Sequence, residues 1–312
     1  MLSRAFYERI LLLIIGSYIG YYVTVSVAKE LSNMDLEYGE LPLKYKQMKL
    51  TNHEKYLISS IINDKDINVS FDDIQGMDSV IAQFNKLIIN PMNNFKQYKE
   101  TELLHPPNGI ILYGPPGTGK TMLAKALCKH MRYNFITFDN NKIEQKLFGE
   151  SSKVICALFT LAEKIKPCVI FIDEIDGFLS SRNEYDQSCV NGVKTQMLSL
   201  MDGISKRDPT IIIIGATNRI NSIDKAVKRR MRTHIKIELP THNSRMEMFK
   251  KHLGKYSDCI NYNDVATKTN GMSGSDIYEI CKNAALNSIT TKNKILITNN
   301  QLNESIKVFK NN

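Results

Sequence analysis

Eight consecutive residues, Gly114-Pro-Pro-Gly-Thr-Gly-Lys-Thr121, carry the most specific chemistry in the sequence. They fit the spacing GxxxxGK[ST], with an apolar run, Ile110–Tyr113, before them and a helix-forming stretch after them. Such glycines let the main chain wrap a phosphate with its N–H groups, and the helix that follows adds its positive end. Lys120 has the reach for β- and γ-phosphates, and the Thr121 hydroxyl can ligate Mg²⁺. The candidate nucleotide set is therefore Gly114, Pro115, Pro116, Gly117, Thr118, Gly119, Lys120, Thr121 and Met122. ATP and Mg²⁺ are the expected cofactors.

A phosphate loop of this kind needs acids nearby. Val169-Ile-Phe-Ile-Asp173-Glu174 is an apolar strand ending in two carboxylates. A strand buried on both faces delivers residues at its tip to the cleft. Asp173 is expected to join Thr121 in holding the metal, and Glu174 to polarise the attacking water. Ile211-Ile-Ile-Ile-Gly-Ala-Thr-Asn218 ends in the same manner, which places Asn218 to sense the γ-phosphate.

The elements that must carry these residues alternate. Strand-like runs at Gly109–Tyr113, Asn134–Phe138, Cys168–Ile172, Thr210–Ile214 and His234–Leu239 are separated by helical stretches such as Thr121–Met131 and Ser152–Ile165. That alternation predicts an α/β fold with a parallel sheet flanked by helices. After Pro240 the strands stop. Arg245–Tyr256, Ser273–Ser288 and Gln301–Phe309 read as helices of a small C-terminal lid. The expected boundaries are a tail at 1–9, a transmembrane helix at 10–28, a linker at 29–68 with some helix near Asn52–Ile62, a large α/β domain at 69–240 and the lid at 241–312.

The transmembrane reading rests on Ile10 to Ala28, 19 residues without a charged side chain, bracketed by Arg9 and Lys29. As a helix this run is roughly 28 Å long, about a bilayer's hydrocarbon thickness. A cleaved leader ending at Ser26-Val27-Ala28 and a buried core helix compete with it. Composition narrows the rest. The net charge of +9 comes from lysines spread along the chain, which reads as a solvated surface and gives no reason to expect a nucleic-acid partner. No pair of the 6 cysteines has CxxC spacing and no histidines form HExxH, so neither a zinc site nor a fused zinc protease is expected. Free thiols suit a body facing the cytosol.

Taken together, Phe71-Asp-Asp-Ile-Gln-Gly76, the two nucleotide motifs, Ala216-Thr-Asn-Arg219, Asp224–Arg230 and Gly271-Met-Ser-Gly-Ser-Asp276 resemble, in this order, the AAA ATPases of the meiotic clade. The likeness covers about residues 70–290. The anchor and the runs Lys120–Leu127, Pro167–Phe178 and Ile213–Asn221 are similar to the mitochondrial outer-membrane sorting ATPases, called thorase in animals. The resemblance implies an ATP hydrolase in a homo-hexamer, held in the mitochondrial outer membrane or the peroxisomal membrane, extracting tail-anchored proteins. It implies that Arg229 and Arg230 are arginine fingers reaching the neighbouring subunit's γ-phosphate. It also implies that Leu147 and Phe148, within Lys146–Ser151, form a first pore loop on a polypeptide substrate, with a second within Arg182–Cys189. Three positions depart from the family. Leu147 stands where an aromatic is usual, Gln75 where Gly is usual, and Met231-Arg-Thr-His-Ile replaces a Phe-containing, Arg-rich run. Action on ESCRT-like or microtubule substrates is the alternative task within this clade.

Overall fold

The computed structural model describes residues 43–94, 107, 109–139, 151–179, 188–205, 210–256, 260–288 and 296–311. The expected transmembrane run, the first pore loop with Leu147 and Phe148, and residues 182–187 of the second lie outside the described residues. Among the described residues no helix is long and apolar enough to cross a membrane. By internal contacts the chain forms two units, residues 1–50 and 51–312. In the first, the described part is one helical turn, Leu43–Lys46, and the residues after it.

The second unit is built on one six-stranded sheet. Its strands are β1 (Ile61–Ile62), β2 (Gly109–Tyr113), β3 (Asn134–Phe138), β4 (Cys168–Ile172), β5 (Ile211–Thr217) and β6 (Thr233–Lys236), in the spatial order β1-β3-β4-β5-β2-β6. All pairs are parallel except β1 with β3. β4 and β5 are buried at every residue, as expected of continuous Ile/Val runs covered on both faces. On the edge strand β6 only Ile235 is buried.

One difference from the sequence reading has a clear cause. Asn52–Ile62 was expected to carry helix; here α1 (Asn52–Ile58) stops, and Ile61–Ile62 pairs with Ile136 and Phe135 as an antiparallel edge. Part of the expected linker thus packs on the sheet. A capping box opens α1: Thr51 Oγ1 accepts from Glu54 N, and Glu54 Oε2 accepts from Thr51 N at 2.7 Å. Glu54 then reaches across to a later helix and accepts from Thr160 and Lys164, which fixes α1 in place. β5 runs past the apolar run's end at Ile214 to Thr217, as the reading of Ile211–Asn218 as one strand with a polar end expects. Its small residues fit there because Ile175 crosses closely: a Cβ on Gly215 would lie 2.5 Å from Ile175 Cδ1.

The helices between strands are α2 (Asp78–Phe84), α3 (Lys120–Met131), α4 (Ser151–Ile165), α5 (Ser188–Ser205) and α6 (Lys225–Arg230). The main core joins β2, β4 and β5 to α2 and α3 through Phe84, Leu112, Leu123, Leu127, Phe171 and Ile214. After Pro240 come α7 (His242–Leu253), α8 (Tyr262–Lys268), α9 (Gly274–Asn287) and α10 (Asn299–Asn311), which enclose their own core around Phe249, Ile277, Ile280, Leu302 and Ile306. This is the helical lid the sequence predicts. Arg245 ties it down: the buried guanidinium donates to Ala266 O through Nε (3.1 Å) and Nη2 (2.9 Å), and to Pro240 O through Nη1 (2.8 Å).

Candidate functional site

The phosphate loop sits where a parallel sheet delivers it, between the end of β2 and the start of α3. Gly114 N donates to Thr217 O at 3.3 Å, so the loop leaves the sheet beside β5. The turn depends on left-handed backbone at Gly117 (φ +71°) and Gly119 (φ +90°), a region that costs side-chain-bearing residues roughly 1–2 kcal/mol. Lys120 opens the helix, is buried, and donates to the loop carbonyls Gly114 O (3.0 Å) and Pro115 O (2.8 Å). Burial lowers the pKa of its ammonium, and the charge of Asp173 opposes that shift.

Asp173 and Glu174 leave the end of β4 directly opposite. Thr121 Oγ1 donates to Asp173 Oδ2 at 3.1 Å, and Asp173 Oδ1 accepts from Glu174 N at 3.0 Å. Two hard oxygen donors this close, from the two motifs predicted to share a metal, are the donor set Mg²⁺ prefers when a phosphate completes its shell. Glu174 is exposed and has φ +47°, a left-handed conformation unusual for a glutamate. Its backbone turns there so that Ile175 N can donate to Ala216 O at 2.9 Å, locking the acidic turn to β5.

β5 presents its end to the same cleft. The buried Thr217 donates through Oγ1 to Asp176 Oδ1 (2.6 Å) and accepts from Arg219 N (2.8 Å). Asn218 is held between these two fixed neighbours and lines the pocket. A cavity of about 610 Å³ is lined by Pro116–Met122, Asp173, Glu174, Thr217 and Asn218 on the sheet side. The structure thus gathers Pro116–Met122, both acids and Asn218 around one cavity, while Gly114 and Pro115 do not line it and are tied to it by the bonds of their carbonyls to Lys120.

The far wall was legible in the sequence only in part, at Asp73–Gln75 and Ser275, which lie in the runs Phe71–Gly76 and Gly271–Asp276. It comes from Asp73–Gln75 and Met77, and from the lid residues Met248, Lys251, His252, Ser275, Tyr278 and Glu279. His252 and Tyr278 meet edge to face at 5.5 Å, one helical face against another, and form an aromatic corner. Lys251 Nζ donates to Asp73 Oδ1 at 3.1 Å, linking lid to large domain. The Ser70 backbone N–H, the Ser70 hydroxyl and Lys251 together pull the Asp73 carboxyl down to about 2. A second link is tighter: Ser275 N donates to Gly117 O at 3.1 Å, and a Cβ on Gly117 would lie 2.5 Å from Ser273 Oγ. Met248, Lys251, His252, Tyr278 and Glu279 are marked in the sequence only by a helical period, which core positions share.

Arg229 and Arg230 lie elsewhere, at the end of α6. Arg229 is exposed, and its side chain makes no hydrogen bond or ion pair with the described residues. Arg230 is held by Asp202 through two bonds, Nε–Oδ1 at 2.8 Å and Nη2–Oδ2 at 2.7 Å. Neither arginine lines the cavity of its own chain.

Fold and site define a phosphate-loop nucleotide-binding domain with a helical lid that forms one wall of the cavity. The chain belongs to the AAA ATPase family: residues 110–241 match the ATPase family associated with various cellular activities (AAA), and residues 259–304 match the AAA+ lid domain. It is 37% identical over 240 residues to an outer mitochondrial transmembrane helix translocase of Danio rerio, covering 76% of this chain and 63% of that protein. It is 36% identical over 243 residues to a mitochondrial sorting homolog of Caenorhabditis elegans, covering 77% of this chain and 71% of that protein. The Homo sapiens outer mitochondrial transmembrane helix translocase is 37% identical over 247 residues, with 77% and 68% covered. Among solved structures the FIGL-1 AAA domain in complex with ADP superposes with a TM-score of 0.72 at 27% identity, covering 83% of this chain and 90% of that one. The chain is therefore a nucleotide-binding ATPase.

Proposed function

We propose that the chain is a membrane-anchored motor that uses ATP hydrolysis to draw mislocalised tail-anchored proteins out of the mitochondrial outer membrane. The observation that carries this is the likeness, at about 37% identity over most of the chain, to proteins named outer mitochondrial transmembrane helix translocase. The apolar run Ile10–Ala28 supports it as the anchor, with the ATPase facing the cytosol. The peroxisomal membrane fits the same chemistry.

Within this reading Gly114–Met122 cradles the triphosphate, with Lys120 turning from its loop carbonyls to the β- and γ-phosphates. Thr121 and Asp173 would hold Mg²⁺, which would offset the charge of the phosphates. Glu174 would accept a proton from the attacking water as the water oxygen bonds the γ-phosphorus and the bond from that phosphorus to the β–γ bridging oxygen breaks, giving ADP and phosphate. Asn218 hydrogen-bonds the γ-phosphate or orients the water. Arg229 and Arg230 serve the adjoining subunit, so the working form is a ring, a homo-hexamer as in the family it resembles. A guanidinium supplied in trans is worth about 10³–10⁵ in comparable phosphoryl transfer. Phe148, with Leu147 beside it, grips the extended substrate, since an apolar and aromatic pair contacts many sequences without requiring particular hydrogen bonds.

The test is reconstitution of the full chain in liposomes of outer-membrane composition with a fluorescent tail-anchored substrate. ATP-dependent release that is lost on deleting residues 1–28 while hydrolysis persists is the expected result. Release by the truncated chain, or uniform endoplasmic reticulum staining of the tagged full chain in cells, overturns the reading.

A further inference from the structure

Three thioethers line the cavity, and each comes from a different element. Met77 immediately precedes α2, Met122 lies in the first turn of α3, and Met248 belongs to α7. Two of them flank one loop residue: a Cβ on Gly119 would lie 3.5 Å from Met77 Cε and 3.7 Å from Met122 Cε. The third stands where the lid meets the loop. A Cβ on Gly274 would lie 4.0 Å from Met248 Sδ and 3.6 Å from Gly117 O. The phosphate loop is thus bordered by methionine from both the large domain and the lid.

Packing accounts for two of the three. A flexible, unbranched thioether fills irregular gaps. Met77 is 8% exposed within the main core, and Met248 packs against the core of the lid. Met122 is different. It is 37% exposed, more than any other methionine among the described residues, and it belongs to neither of those cores. A leucine would serve the helix equally well there. What a thioether adds at an open position is chemistry: sulfur takes one oxygen atom from a peroxide, and a reductase removes it again.

The step balances between two reactants. A sulfur lone pair bonds one oxygen of hydrogen peroxide as the O–O bond breaks. The hydroxide that leaves takes the proton from the new S–OH group, giving sulfoxide and water. Sulfur loses two electrons and the peroxide gains them. The product is a polar, chiral group in place of an apolar side chain. On Met122 it forms within reach of Gly119, in a loop suited to receive phosphate. An electron-rich acceptor beside an anion has no hydrogen bond to gain, and covering it with a nucleotide costs free energy.

We propose that Met122 is an oxidation site: peroxide converts its thioether to the sulfoxide and so weakens nucleotide binding, and reduction of the sulfoxide restores it. The inference rests on the nucleotide site alone and is independent of the membrane role. Burying a polar group without a partner carries a factor of roughly 5–100 in affinity, and ATP binding is expected to weaken by that much. A bound nucleotide covers the cavity, so it is expected to slow the oxidation of Met122.

The test treats the full chain in detergent with hydrogen peroxide, with and without a saturating, slowly hydrolysed ATP analogue. Peptide mass spectrometry reads the added oxygen on Met122 and on Met197, Met201 and Met231, which are at most 4% exposed and serve as internal references. Titration with a fluorescent ATP analogue reads affinity in the same samples. Met122 is expected to oxidise well before the references and more slowly with nucleotide bound, and affinity to fall in step with it. A methionine sulfoxide reductase with dithiothreitol is expected to restore binding, the sulfoxide oxygen leaving as water while the dithiol becomes a disulfide. Dithiothreitol alone reverses thiol oxidation and leaves sulfoxides in place. Met122→Leu keeps an apolar side chain of similar volume that peroxide does not oxidise. Read against its own untreated affinity, this variant is expected to lose none on treatment. The proposal is overturned if Met122 reacts no faster than the references, or if it reacts and affinity holds. Recovery by dithiothreitol alone, or an equal loss in treated Met122→Leu, overturns it too, because a thiol or another methionine would then be responsible.

Discussion

Thr121 Oγ1 and Asp173 Oδ2 are 3.1 Å apart, so the last residue of the phosphate loop and the acid closing β4 already touch across the cleft. Fifty-two positions separate them in the chain. Their meeting follows from sheet order alone: β3 and β4 cross on one side of β5, β2 lies on the other, and both motif strands end at the same edge. Replacing Asp173 with Asn keeps the shape and a bond to Thr121 but removes the charge a divalent ion needs. The Mg²⁺ concentration giving half-maximal hydrolysis is expected to rise by at least about 10–100-fold, the range for losing even an outer-shell partner. A magnesium titration of steady-state ATPase checks it; an unchanged midpoint removes Asp173 from the metal site.

Glu174→Gln leaves the phosphate loop, Thr121 and Asp173 in place. Nucleotide affinity is expected within a few-fold of wild type and turnover down by about 10²–10⁴, the usual worth of a general base. Equilibrium binding of a fluorescent ATP analogue alongside phosphate release separates the two quantities. Unaltered turnover refutes the assignment.

Gly117→Ala meets two obstacles at once, a φ of +71° and the Ser273 hydroxyl 2.5 Å from the new methyl. The loop and the first turn of α9 cannot both stay, and the Ser275 N to Gly117 O bond is broken. ATP affinity is expected to fall by 10-fold or more, for a strain of about 1–3 kcal/mol. Because the clash is with the lid, adding Ser273→Ala recovers part of the affinity, whereas damage confined to the loop would show no recovery. Isothermal titration of the single and double variants reads this directly.

Glu54 gives a stability prediction with a pH signature. Burial pushes its carboxyl up, but the bonds from Lys164, Thr51 N and Thr160 outweigh that and leave it below its ordinary value. A carboxyl depressed in the folded state stabilises above its unfolded pKa, about 4.3, and loses that contribution as pH falls towards the folded value. Glu54→Gln is expected to cost about 1–3 kcal/mol at neutral pH, the worth of a bond to a charged group in a buried position. Urea midpoints of the two proteins should differ by a constant amount above about pH 5 and draw together as the pH falls below the unfolded value of about 4.3. A gap that persists at low pH overturns the charge argument.

The sequence made the sheet side of the site legible and left the lid side almost invisible, for a physical reason. Strands buried on both faces must be continuous apolar runs, so β2 and β4 appear with their true ends and the polar residues after them stand out. Tyr278 and His252 follow the period of helices that also have a core to fill, and only the folded lid shows which face they turn to the cavity. Asp202 carries no mark of its bond to Arg230, twenty-eight positions on. Likewise α1 ends at Ile58 because β3 offers Ile61 and Ile62 a partner strand, which local propensity does not encode.

The left-handed backbone of Glu174 has a consequence for anyone redesigning the chain. At φ +47° the position favours glycine or asparagine, and a procedure that ranks substitutions by thermodynamic ease alone would replace the glutamate early. The variant would be expected to hold its fold and lose its turnover. Robustness and activity are set against each other at this single residue, so thermostabilised versions of this ATPase have to be selected on phosphate release as well as on melting.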